Sequence, residues 1–129
     1  MSIEENKAVS QRFMEEVWNQ GKLELLDELC APDRVYRDPM AGKVDGIEAH
    51  RQFVAQYRAA FPDIRFVAEC VVAEGEWVFT RWTDTGTQTG PLGAVPATGK
   101  KVRVTGINAL RIVNGKIVEE WSSWDALGM

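Results

Sequence analysis

One histidine, two cysteines and nineteen acidic residues narrow the chemistry open to this chain of 129 residues. A zinc site needs several His or Cys ligands at short spacing, and His50, Cys30 and Cys70 are too few and too far apart. No glycine-rich loop leads into a helix to cradle a phosphate, so neither a metal nor a nucleotide cofactor is expected. A Ser-His-Asp arrangement would have to use His50, and nothing near it in the sequence supports one. Proton transfer by carboxyl groups remains.

Which carboxyls share a pocket depends on strand register. Asn114-Gly115 is the strongest hairpin signal in the chain, because both residues tolerate positive φ in a type I′ turn. A regular ladder from that turn predicts Ile112 opposite Ile117, Leu110 opposite Glu119, Asn108 opposite Trp121, Gly106 opposite Ser123 and Val104 opposite Asp125, all on one face. The other face would carry Arg103, Thr105, Ile107, Arg111, Val118, Glu120, Ser122 and Trp124. On the first, mainly apolar face a buried carboxyl has a raised pKa, which suits proton transfer near neutrality. Gly106 would leave space there, as a cavity wall does. The plainer reading of Asp125 is a solvated strand end. Trp82 alternates with Asp84 and Gln88 and is expected on their side.

These residues must be held by helices that come first and strands that follow. Ser2 and Glu5 fit a capping box, after which Val9, Phe13 and Val17 recur on one helical face until Gly21. Leu23, Leu26 and Leu29 suggest a second, short helix ending before Pro32, and residues 35–39 an extended stretch. A third helix runs from residue 47 to about 61, with Ile47, Phe53, Val54, Tyr57 and Phe61 in its apolar stripe and His50 at the same spacing. Residues 64–73, 77–89, 101–113 and 116–125 are strand-like and separated by Glu-Gly and Asn-Gly turns. The loop 91–99 is a candidate flap over a pocket, or a plain connector. Helices followed by a meander predict one α+β domain over residues 1–129, not a parallel doubly wound sheet.

Composition agrees with a packed domain: 45% hydrophobic residues suffice for a core. The net charge of −4, with Lys100-Lys101 the only adjacent basic pair, argues against nucleic acid. No apolar run reaches the ~20 residues that span a bilayer. The acidic start Met1-Ser2-Ile3-Glu4-Glu5 lacks the features of a signal peptide. Together with two expected free, buried thiols, this points to the cytoplasm.

From residue 60 onward the chain resembles the SnoaL-like polyketide cyclases and the predicted ester cyclases grouped with them. The matching pieces are Ala60-Phe61-Pro62-Asp63, Ala73-Glu74-Gly75, Thr85-Gly86-Thr87, Thr98-Gly99-Lys100, Gly106-Ile107, Gly115-Lys116-Ile117-Val118-Glu119, and Trp121 with Asp125. The helical first half fits the same family. The resemblance implies a nuclear transport factor 2-like fold, a cone-shaped α+β barrel in which helices pack on a strongly curved antiparallel sheet around an internal pocket. It further implies a cofactor-independent intramolecular aldol cyclisation of a small hydrophobic carbonyl or ester compound, with Asp125 as the acid/base residue. Substrate contacts are expected from Gln88, Asn108, Trp121, Glu119, Asp38, His50 and Trp82. Gln88 stands where the family often has His, and it can hydrogen-bond a carbonyl but cannot shuttle a proton. His50, where an apolar residue is commoner, is a core residue or a replacement for that imidazole. The family's chains continue past Leu127-Gly128, whereas this sequence stops at Met129.

Two other enzymes share that fold. A ketosteroid-isomerase-like reading uses Asp38, before Pro39, as base and Asn108 as donor, but Phe13 stands where those enzymes present an oxyanion tyrosine. A limonene-epoxide-hydrolase reading needs Arg81 and Asp84 together, and their spacing puts them on opposite faces. A non-catalytic ligand-binding or dimerisation module is a third alternative. A homodimer or higher oligomer is expected through the outer sheet face, where the register places Trp124, Ile107 and Val118.

Overall fold

A computed structural model describes residues 2–125. Helix α1 (Ile3–Arg12) starts at the expected capping box: the Ser2 hydroxyl accepts from the Glu5 N–H and the Glu5 carboxylate accepts from the Ser2 N–H. The helix continues with a wider, π-type winding over Phe13–Asn19, which buries Phe13 and Val17. Gly21 stops it with φ 75°, and a Cβ there would lie 2.6 Å from the Arg58 guanidinium. That guanidinium donates to the Trp18 and Asn19 carbonyls at 2.6 and 3.1 Å, so it satisfies the helix end that the glycine opens.

The leucine-rich segment forms a 3-10 turn (Leu23–Leu25) and a one-turn helix α2 (Leu26–Leu29), from which strand β1 (Cys30–Asp38) leaves directly. After the short β2 (Gly42–Lys43) comes α3 (Ile47–Ala60), and then β3 (Arg65–Glu74), β4 (Trp77–Thr87), β5 (Lys101–Val113) and β6 (Lys116–Trp124). The strand order is β2-β1-β6-β5-β4-β3, an open six-stranded sheet under the three helices, which is the expected α+β architecture. The sheet is mixed, not wholly antiparallel. Strands β3 to β6 form the meander, but β1 lies parallel to β6. Only neighbours joined by tight turns must run antiparallel, and β1 reaches β6 through most of the chain.

The final hairpin begins as its turn dictates. Asn114 and Gly115 have φ 51° and 78°, Val113 pairs with Lys116 and Ile112 with Ile117. The next pair is Arg111 with Glu119, so Val118 is an extra residue in β6. Such a bulge reverses the side-chain alternation beyond it. Glu120, Ser122 and Trp124 therefore face the helices, paired with Leu110, Asn108 and Gly106. Glu119, Trp121 and Asp125 do not share the Asn108 face as the regular ladder predicted. Trp121 is 52% exposed, and its indole N–H donates to Glu119, which also accepts from Arg111 across the sheet.

Arg34 on β1 gives the bulge a physical reason. Its side chain is wholly buried, and a guanidinium there needs an inward carboxylate. Glu120 supplies it as an ion pair, while the Cys30 thiol accepts from the same guanidinium at 3.2 Å. Cys30 is buried as expected, but Cys70 is exposed.

The core is a cluster of Phe13, Val17, Leu26, Leu29, Val54, Val78, Leu110, Ile112 and Ile117, with a second cluster of Ala60, Phe61 and Ile64. Among the described residues no helix is long and apolar enough to cross a membrane. Removing one partner of a buried ion pair strands the other, at a cost of about 3–5 kcal/mol. Arg34→Met is expected to lose stability on that scale in urea denaturation, and Arg34→Met with Glu120→Leu to recover most of it. Additive losses in the double variant would show that the pair does not hold the bulge.

Candidate functional site

Between the helices and the inner sheet face lies a cavity of about 70 Å³, part of it open to solvent. Its helical side is aromatic: Phe13 and Trp18 from the first helix, Phe53 and Tyr57 from α3, and Phe61 just beyond. Strand alternation supplies the rest. Trp82 and Asp84 come from β4, Val102, Val104 and Asn108 from β5, Glu120, Ser122 and Trp124 from β6, and Tyr36 from β1.

Gly106 interrupts the inward row of β5 between Val104 and Asn108. A Cβ there would come within 2.5 Å of the Trp82 ring and 2.8 Å of Trp124. The space that this glycine leaves is thus filled by Trp82, which lies across the strand. In a strand interior, glycine marks such a close approach.

Two carboxyl groups line the cavity in opposite circumstances. Glu120 is fully engaged: besides the Arg34 ion pair, its Oε2 accepts from Asn108 Nδ2 at 3.5 Å and from the Ser122 hydroxyl at 3.4 Å. Asn108 therefore turns its amide nitrogen toward Glu120, and its Oδ1 is buried without a partner among the described residues. Asp84 has no hydrogen bond to any described residue, and its Oδ1 is buried. Burial, and secondarily the charge of Asp63, raises the Asp84 pKa to about 7.

The expected contacts divide accordingly. Asn108 and Trp82 line the cavity. Asp38 sits behind its wall, where it accepts from the Tyr36 hydroxyl at 2.5 Å and from the Met40 and Ala41 N–H groups. These bonds make it a turn anchor that orients Tyr36. His50 also lies behind the wall, its ring 5.8 Å from Phe13, 5.6 Å from Tyr36 and 5.8 Å from Phe53. Burial first, then the Arg34 charge, push its pKa well below the usual range, so it is a neutral core residue.

Gln88 does not reach the cavity. It clasps the 91–99 loop, donating to the Pro96 carbonyl at 3.3 Å and accepting from the Thr98 hydroxyl at 3.1 Å. Asp125 is exposed just past Trp124, with its N–H on the Thr105 carbonyl. The Leu127-Gly128 tail lies outside the described residues. Glu120, Ser122, Trp124, Tyr36 and Tyr57 were absent from the expected set. For the three β6 residues the signal was hidden by the bulge, whereas Tyr57 was legible in the α3 stripe. Among the described residues no group of three or more His, Cys, Asp or Glu is arranged to hold a metal.

An α+β architecture with an aromatic-walled cavity and a few convergent polar groups is the layout common among small-molecule sites. The family is more specific: residues 8–129 match the model of the SnoaL-like polyketide cyclases. The chain is 31% identical over 123 residues to the aklanonic acid methyl ester cyclase DauD of Streptomyces sp. (strain C5), covering 91% of this chain and 74% of that one. The structure superposes with TM-score 0.91 on a proposed SnoaL-like polyketide cyclase from Jannaschia sp. CCS1, at 28% identity over 98% of this chain and 90% of that one. It also superposes with TM-score 0.85 on AclR, a proposed hydroxylase from Streptomyces galilaeus, at 28% identity over 98% and 79%. The chain belongs to the SnoaL-like polyketide cyclase family.

Folding raises the Asp84 pKa, so the folded chain holds that proton more tightly than the unfolded chain. The corresponding stability is present below the ordinary carboxylate value of 3.8 and is lost as pH rises through about 7. Asp84→Asn removes the loss. Urea denaturation is expected to find the variant more stable than wild type at pH 8, by on the order of 2–4 kcal/mol, with the gap closing toward pH 4. A gap that does not change with pH would contradict the burial of this charge.

Proposed function

We propose that this protein catalyses cofactor-independent acid/base chemistry, an intramolecular aldol-type cyclisation, on a small hydrophobic carbonyl or ester compound held in the cavity. The carrying observation is the cavity itself, in which aromatic walls enclose a few polar groups that include a carboxyl group titrating near neutrality. DauD, named as a cyclase of aklanonic acid methyl ester, supports a cyclisation of an ester compound. The resemblance assigns the acid/base role to Asp125, which stands just past the end of β6.

Aldol cyclisation is an isomerisation, so its product keeps the substrate's mass. Aklanonic acid methyl ester, the compound in the name of DauD, is the first probe. Its binding is expected to quench the fluorescence of Trp18, Trp82 and Trp124, and its turnover to give a product of unchanged mass and new retention time. Absence of binding by this and other aromatic carbonyl compounds would sink the reading. Binding without turnover would favour the ligand-binding module.

We further propose a homo-oligomer formed through the outer sheet face. The register aligns Val72, Phe79, Ala109 and Trp121 in one row across β3 to β6. Val72 is 58% exposed, Phe79 46% and Trp121 52%. Because of the bulge, Trp121 replaces Trp124 as the aromatic anchor. Sedimentation at micromolar concentration is expected to give a dimer or larger species, and Trp121→Glu a monomer. A monomeric wild type would reject the proposal.

A further inference from the structure

We infer that Asp84 is the group that carries the proton in this cavity, with the Tyr57 hydroxyl holding the substrate oxygen. The inference rests on the proposed carbonyl chemistry and assigns its central step. Geometry selects Asp84 by what occupies its rivals. Glu120 is neutralised by Arg34 and already accepts from Asn108 and Ser122. Asp38 accepts from Tyr36 and two backbone N–H groups behind the wall, and Asp125 is exposed beyond β6. Asp84 lines the cavity beside Trp82 with no hydrogen bond to any described residue and one oxygen buried. A buried carboxyl oxygen without a partner is costly to stability, and such costs persist at sites that a ligand completes.

The surroundings fit proton transfer. The strand neighbours of Asp84 are Phe66 on β3 and Val104 on β5, and neither is charged. From α3 it is faced by Tyr57, and from the turn after α3 by Asp63, which is held by Thr87. Glu120 of β6 lines the same cavity, paired with Arg34. Burial, with the charges of Asp38 and Asp84, raises the Tyr57 pKa, so the phenol keeps its proton and can donate. Its hydroxyl bonds to no described residue.

The step balances without a co-reactant. The Asp84 carboxylate takes a proton from the carbon next to a carbonyl, and that C–H bond breaks to leave an enolate whose oxygen receives the Tyr57 hydrogen bond. The enolate carbon attacks a second carbonyl of the same molecule. A C–C bond forms, a C=O π bond becomes an alkoxide, and Asp84 returns its proton to that alkoxide. Nothing is oxidised or reduced.

The first half-step can be tested with 2-tetralone, a fused-ring ketone with acidic α-hydrogens. Binding is read by tryptophan fluorescence and exchange of the α-hydrogens in D2O by proton NMR. Wild type is expected to accelerate exchange, with a rate rising through pH 7 as Asp84 ionises. Asp84→Asn is expected to bind 2-tetralone within about threefold of wild type while losing at least ~100-fold in exchange. Tyr57→Phe is expected to lose about 100-fold without moving the pH midpoint. Carbon-13 titration of the Asp84 carboxyl in the wild-type protein gives a reading independent of any variant's folding, with an expected midpoint near 7. An Asp84→Asn variant that exchanges like wild type, a loss in Asp125→Asn as large as in Asp84→Asn, bound 2-tetralone without exchange, or a midpoint near 4 would each overturn the assignment. Failure of the wild type to bind 2-tetralone would instead count against the carbonyl-ligand reading of the cavity.

Discussion

Arg34 brings a full positive charge into the interior, and the sheet around it is arranged to meet that charge. A guanidinium cannot be left unpaired where water is excluded, so an acidic side chain must arrive from the neighbouring strand. Glu120 meets it from β6, the strand that lies parallel to β1. For Glu120 to point inward two pairs after Ile117, which is also inward, β6 must carry one extra residue, and Val118 is that residue. The ion pair, the bulge and the parallel β1–β6 pairing form one constraint. Everything beyond the bulge inherits its sense: Ser122 and Trp124 become cavity wall, and Trp121 becomes outer surface.

The same constraint separates the two cavity carboxyls. Glu120 sits among donors and a cation, so its charge is fully spent on structure. Asp84, on a strand without such partners, keeps its protonation state in play. Two like groups in one cavity take different roles because their environments differ, a pattern common to acid/base sites. Gly106 contributes by letting Trp82 cross the strand toward Trp124. The cavity thus has flat aromatic surface between Asp84 toward one end of β4 and the Glu120, Asn108 and Ser122 group, since Thr80 and not Asp84 is the strand partner of Asn108. A ligand with oxygens at two separated places fits this layout better than a purely hydrocarbon one.

Local rules made the elements legible. The Ser2–Glu5 box, Gly21, the α3 stripe and the Asn114-Gly115 turn each dictate their own geometry and do so in the structure. The register of the last hairpin was legible only as far as Ile112 and Ile117. A bulge adds one residue without a sequence signature, and its cause, Arg34, lies 86 positions away from Glu120. Alternation from a correct turn therefore put Glu119, Trp121 and Asp125 on the wrong face. On β4, where no bulge intervenes, alternation correctly placed Trp82 with Asp84 and opposite Arg81. Gln88 shares that parity but lies past the strand end, where loop contacts decide its direction.

The unpartnered polar atoms of the cavity connect stability to ligand binding. Asp84 Oδ1 and Asn108 Oδ1 are acceptors withheld from water, and each lowers the stability of the empty fold. A ligand that donates to either one returns that free energy, so binding and stability are linked. The two sites do not ask for the same thing. Asn108 is fixed as an acceptor by the engagement of its amide nitrogen with Glu120, and so it selects a hydroxyl or an enol. Asp84 accepts when ionised and donates when protonated, and with a pKa of about 7 it can do both near neutrality. A molecule that passes from ketone to enolate to alcohol needs a partner that changes from acceptor to donor as the reaction proceeds. The hydroxyls that line the cavity can also accept or donate, but a carboxyl group held near its own pKa can in addition carry the proton from carbon to oxygen.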